Sequence, residues 1–148
     1  MNIFNKVNSK IKNILNKESE TKEANSKVLP QESEYKFKLK PHQVLRLIDS
    51  TEGCIASNRI TIDGCKVGFM YREKPYQNDW PDTGWRFMSG DENDEYMGNA
   101  KNHNVYQLNT ICNYDQDIIP FLDSEPGSAF IRNKEGNLVF DKEWEGLE

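Results

Sequence analysis

Asp91, Asn93 and Glu95 stand at alternate positions, the spacing with which a calcium-binding loop begins. Such a loop needs glycine at its sixth position and a bidentate glutamate at its twelfth. Tyr96 and Asn102 stand there instead, so this is an acidic segment and not a calcium loop. Zinc asks for paired ligands, and Cys54, Cys65, Cys112, His42 and His103 are scattered singly. Nucleophilic catalysis would need a cysteine or serine beside a histidine. No serine sits in a G-x-S-x-G elbow, and His103 lies in the polar run Lys101–Asn104, which reads as a surface loop. Gly64 and Gly68 lack the Gly-Lys-Ser/Thr that would cradle phosphate. With 19 acidic residues beyond position 34, some carboxylate pair always exists, and its existence carries no weight. The three cysteines read as reduced core thiols, and no cofactor or metal is expected.

What remains is recognition chemistry. Between Asp79 and Glu95 the chain concentrates Asp79, Asp82, Asp91, Glu92, Asp94 and Glu95 around Trp80. Carboxylates give long-range attraction to a basic partner, and an exposed tryptophan gives an apolar anchor. Trp80 is expected exposed and Trp85 buried. These seven residues are the candidate partner-binding set. Residues 35–148 carry 13 basic and 19 acidic side chains, a balance that disfavours nucleic acid.

The elements that must position this segment follow from periodicity. Ile3, Phe4, Val7, Ile11, Ile14 and Leu15 recur at helical spacing among Lys6, Lys10, Lys12 and Lys17. Residues 1–17 therefore read either as a basic amphipathic helix that touches a partner or, weakly, a membrane surface, or as a partly helical tail that docks on its own domain or frays. Residues 18–34 are nearly devoid of apolar side chains and read as a linker, which makes 1–34 an extension and 35–148 one domain. Tyr35, Phe37 and Leu39 alternate with lysines as in a strand, and Pro41 opens a helix expected to run toward Gly53. Strands are expected at Cys54–Ala56, Ile60–Ile62, Cys65–Tyr71, Trp85–Met88, Val105–Leu108, Ser128–Arg132 and Leu138–Asp141. Asp63-Gly64 marks a turn, residues 73–83 a loop, and Asp91–Glu95 a helix start. Asn109–Leu122 reads as helical pieces broken at Pro120. The expected fold is α+β, with a mostly antiparallel sheet and a few short helices. No apolar run spans a membrane and no signal peptide is evident, so a cytoplasmic location is expected.

Four blocks in order sharpen this reading: Asp63-Gly64-Cys65-Lys66-Val67-Gly68-Phe69-Met70-Tyr71-Arg72-Glu73, Gly84-Trp85-Arg86-Phe87-Met88-Ser89-Gly90-Asp91-Glu92, Leu108-Asn109-Thr110-Ile111-Cys112-Asn113-Tyr114-Asp115 and Gly127-Ser128-Ala129-Phe130. Together they resemble a bacterial family first catalogued as domain of unknown function 2185. That family was later classed as immunity protein family 33 of polymorphic toxin systems. Gln116 stands where the family has proline. The resemblance implies an α+β fold, no catalytic residues, and a cognate toxin as partner, basic if that toxin is a nuclease. Two other readings stay open from the residues alone. One is a regulatory or scaffold module unrelated to toxins; the other is a hydrolase whose metal ligands converge from distant segments.

Overall fold

The computed structural model describes residues 35–74 and 80–145. Six strands form one sheet: β1 (Gly53–Ser57), β2 (Phe69–Arg72), β3 (Asp82–Met88), β4 (His103–Gln107), β5 (Ala129–Arg132) and β6 (Leu138–Phe140). Their order is β4-β1-β3-β2-β5-β6. Only β1 and β3 pair in parallel; every other neighbouring pair is antiparallel. Every residue of that central pair is buried, as expected of strands covered on both faces. The α+β class and the mostly antiparallel sheet are as the sequence indicates.

One face of the sheet carries the main core. Cys54, Ala56, Met70, Trp85, Phe87 and Phe130 pack against Ile60, Leu108, Ile111, Cys112 and Ile118. The latter come from α1 (Asn58–Thr61), α3 (Leu108–Tyr114) and a 3-10 helix at Gln116–Phe121 that contains Pro120. Leu108, Ile111 and Cys112 lie at i, i+3 and i+4, the spacing that keeps one face of a helix on the sheet. Burial pushes the Cys112 thiol up to about 11 and the Cys54 thiol well above its ordinary value, so neither is a ready nucleophile.

Local chemistry departs from the sequence reading most clearly in three places, besides β2, which starts at Phe69 and not at Cys65. Ile60–Ile62 is not a strand. Ser57 accepts from Arg59 N and caps α1, and Gly64, at φ +79°, ends that turn by donating to Ile60 O. Tyr35–Leu39 joins no strand, and among the described residues before β1 only Pro41–Gln43 is helical; the helix expected over 1–17 lies outside the described residues. Residues 45–48 form a strap, held by two side chains one helical turn apart on α3. Asn109 Oδ1 accepts from Leu47 N and Ile48 N, Asn113 Oδ1 accepts from Leu45 N, and both amides donate to Leu45 O. Leu47 and Ile48 still reach the core, while Leu45 is exposed. The third departure is β3, which starts at Asp82 instead of Trp85. Its register against β1 is irregular at a bulge where Gly84 adopts φ +88°. A Cβ on Gly84 would lie 2.0 Å from Glu73 O.

Candidate functional site

The second sheet face has a different character. Ile55, Tyr71, Met88 and Ala129 are buried there beneath Met97, with Phe69, Trp80, Val105 and Trp144 partly covering them. Tyr71, Phe69 and Trp144 form an aromatic triangle with ring centroids 5.0–5.8 Å apart. Toward β5 and β6 this face opens to solvent, leaving Ile131 44% and Val139 39% exposed.

At the C-terminal end of β3 the opening becomes a groove of about 830 Å³. Phe69, Met88, Met97, Ile131 and Trp144 supply its apolar surface, and Asp91, Glu92 and Asp94 line it with carboxylates. Backbone geometry sets that acidic turn. Gly90 takes φ +95°, and the Glu92 carboxylate accepts from Ser89 N at 2.9 Å and Gly90 N at 2.8 Å. Gly68 passes so close beneath the turn that a Cβ there would lie 1.9 Å from Ser89 O. Asp91 accepts from Ser89 Oγ and from two nitrogens of Arg59, at 2.6 and 3.2 Å. These bonds hold its carboxyl down at about 2. Asn93 caps α2 (Asp94–Met97) by accepting from Tyr96 N, which leaves Asp94 and Glu95 exposed in its first turn.

The structure does not bring the seven sequence-derived residues into one patch. Asp91, Glu92, Asp94 and Glu95 are adjacent. Asp79 lies outside the described residues. Asp82 is buried, its carboxylate gripped by Arg86. Trp80 is half-buried instead of exposed, because its ring packs over Gly53, where an added Cβ would meet Cζ3 at 2.6 Å. It sits at the start of β3, about 20 Å along the strand from the acidic turn. Trp144 is the tryptophan beside that turn. Sequence alone does not single it out, because one isolated aromatic shows no periodicity, nor does it single out Ile131, because strand alternation does not say which face stays open.

His103 belongs to β4 and not to a surface loop. It is 3% exposed, its ring meets Tyr96 edge-on at 6.0 Å, and its Nε2 has no hydrogen-bond partner among the described residues. Burial lowers its pKa to about 4, so it is a neutral core histidine. Among the described residues no group of three His, Cys, Asp or Glu could hold a metal ion, and no helix is long and apolar enough to cross a membrane.

Residues 54–142, more than half of the 148, match the family described as the immunity protein Imm33 domain. The chain belongs to the Imm33 family. No curated protein and no solved structure matches it. The matched span opens on the second residue of β1 and runs just past β6, so it encloses essentially the whole sheet and both faces described above. An Imm33 domain carries a toxin-neutralising immunity role in general terms, and a toxin is the partner that role requires.

Proposed function

We propose that this Imm33 protein neutralises its cognate toxin by binding it, without catalysis of its own, through the acidic end of the second sheet face. One observation carries the reading: Asp91, Glu92, Asp94 and Glu95 are gathered on a single turn and the helix that follows it. Hydrogen bonds fix Asp91 and Glu92 in advance, so little side-chain entropy is lost when a partner arrives. Asp94 and Glu95 point their charge into water, where it acts at long range on a basic surface. The fitting partner is a toxin with a basic face, as a nuclease would have. Trp80 offers a second, separate contact at the other end of the sheet. Asp82 is assigned to the architecture and not to the interface.

The test is binding kinetics against the product of the neighbouring gene. Reversing charge at Asp94 and Glu95, both exposed, is expected to slow association about tenfold at low salt and to flatten its salt dependence. Circular dichroism first establishes that the variant is folded. An unchanged association rate removes this edge from the interface.

A further inference from the structure

We infer that the groove beside the acidic turn receives the chain's own N-terminal segment, residues 3–17, as an intramolecular ligand. This goes beyond the toxin reading, since the contact would exist in the isolated protein.

Three observations select this occupant. The first is charge. Residues 1–17 hold Lys6, Lys10, Lys12 and Lys17 and no acidic side chain, while Asp91, Glu92 and Asp94 line the groove. Arg132 also lines it but is bonded to Asp115 and Asp117, and Asp91 is already paired with Arg59, so Glu92 and Asp94 carry most of the attraction. The second is apolar pattern. Ile3, Phe4, Val7, Ile11, Ile14 and Leu15 recur on one helical face, and an isolated helix of that length is marginal in water unless its face is covered. The groove offers apolar surface for it, including the half-buried Phe69 and Trp144 and the 44%-exposed Ile131.

The third is the path of the chain. Lys38 N donates to Thr61 O, and Lys38 side-chain carbons lie 3.1–3.6 Å from where a Cβ on Gly64 would sit. The next residue, Cys65, lines the groove. The chain therefore joins the domain at the groove's own end of the sheet, though on the opposite face beside α1, α3 and Tyr106, so the linker must pass around that end. Residues 18–34 number 17, and a coil of that length would span roughly 20–25 Å. That exceeds the ~13 Å radius of gyration of a domain this size, so the segment reaches the groove without strain.

Docking of this kind would keep the apolar surface covered until a basic partner competes for the same carboxylates. The experiment uses the full chain. Zero-length carbodiimide coupling joins amines to carboxylates that touch, and digestion with mass spectrometry locates each link. Links from Lys6, Lys10, Lys12 or Lys17 to Asp91, Glu92 or Asp94 are expected, within one molecule when isotopically light and heavy protein are mixed. Phe4→Asp keeps every lysine but spoils the apolar face, and should lower the link yield several-fold. Raising ionic strength from about 0.01 M to about 1 M, which shortens the Debye length from about 30 Å to about 3 Å, should lower it too. Absence of these links overturns the proposal. So do links found only between light and heavy copies, which would mean a second molecule is the occupant. A yield that falls with salt but is indifferent to Phe4→Asp also overturns it, by reducing the contact to unspecific attraction. Recovery of the chain on phosphatidylglycerol vesicles, with no internal link in solution, overturns it in favour of a lipid surface.

Discussion

Arg86 grips Asp82 with both prongs of its guanidinium, Nη1 and Nη2 donating to the two carboxylate oxygens at 3.0 and 2.7 Å, and neither side chain reaches water. The same cation donates from Nε to Glu73 at 3.0 Å and from Nη1 to Trp85 O. One arginine thus ties two acidic side chains to the middle of an otherwise apolar sheet face. Replacing Arg86 with Met strands both carboxylates, and the expected loss is about 3–5 kcal/mol in urea unfolding. Arg86→Lys should also destabilise, because an ammonium cannot match the planar fork. A variant as stable as the parent would show that the pair is dispensable.

Stability should fall in mild acid through His103. Its folded pKa of about 4 lies below the ordinary value of 6.5, so between those values the unfolded chain binds the extra proton. Stability is then full above about pH 6.5 and declines as pH drops toward 4, by on the order of 3 kcal/mol at most. His103→Gln removes the titration and should flatten the unfolding free energy across that window relative to the parent. Two parallel pH curves would assign the acid sensitivity to other groups.

Gly68 and Gly136 predict opposite outcomes for the same substitution. A methyl on Gly68 meets Ser89 O at 1.9 Å, so Gly68→Ala must displace the acidic turn and should cost several kcal/mol. Gly136, at φ +87°, has nothing within 4 Å of the added carbon. Gly136→Ala should cost only the left-handed backbone penalty of about 1–2 kcal/mol. Thermal unfolding of both variants decides this; equal losses would contradict the close approach at Gly68.

Asn109 is expected to govern the strap independently of the sheet. Asn109→Ala leaves Leu47 N and Ile48 N without their acceptor, at a cost of about 1–3 kcal/mol. Amide exchange should accelerate at residues 45–48 while β1 and β3 remain protected. Uniform acceleration throughout would mean that the strap and core open together.

The extension is expected to be separable. Among the described residues the buried core members lie between Cys54 and Leu138, and residues 18–34 are nearly devoid of apolar side chains, so deletion of residues 1–34 should leave one cooperative unfolding transition. A drop of several kcal/mol would make the N-terminal segment part of the core.

Sequence alone revealed the strands whose side chains alternate between two buried faces. Trp85-Arg86-Phe87-Met88 is the strongest instance, and Trp85 is fully buried as expected. It did not reveal elements whose hydrogen bonds come from elsewhere. Val44 to Ile48 carries helical spacing, yet Asn109 and Asn113 satisfy its backbone from a helix more than 60 residues away. Ile60–Ile62 is β-branched and apolar, yet its Ser57 cap and terminal Gly64 prevail over strand propensity. At the candidate site the acidic turn was legible because four of its carboxylates are close in sequence. Asp82 was misleading for the same reason: nearness along the chain gave no sign that Arg86, four residues on, would take it out of solvent.

The strand order also has a bearing on biogenesis. The central ribbon β1-β3-β2 is complete once the ribosome has passed Met88, but its outer edges are closed by β4 and β5, which end at Gln107 and Arg132. At roughly 5–20 residues per second, the 44 residues from Met88 to Arg132 take roughly 2–9 s to appear. Throughout that interval the nascent chain presents at least one bare hydrogen-bonding edge of a strongly apolar ribbon, a template for pairing between neighbours on a polysome. Polypeptides that stop between β3 and β5 should therefore be the ones that precipitate or recruit chaperones, whereas those carried past Arg132 should not.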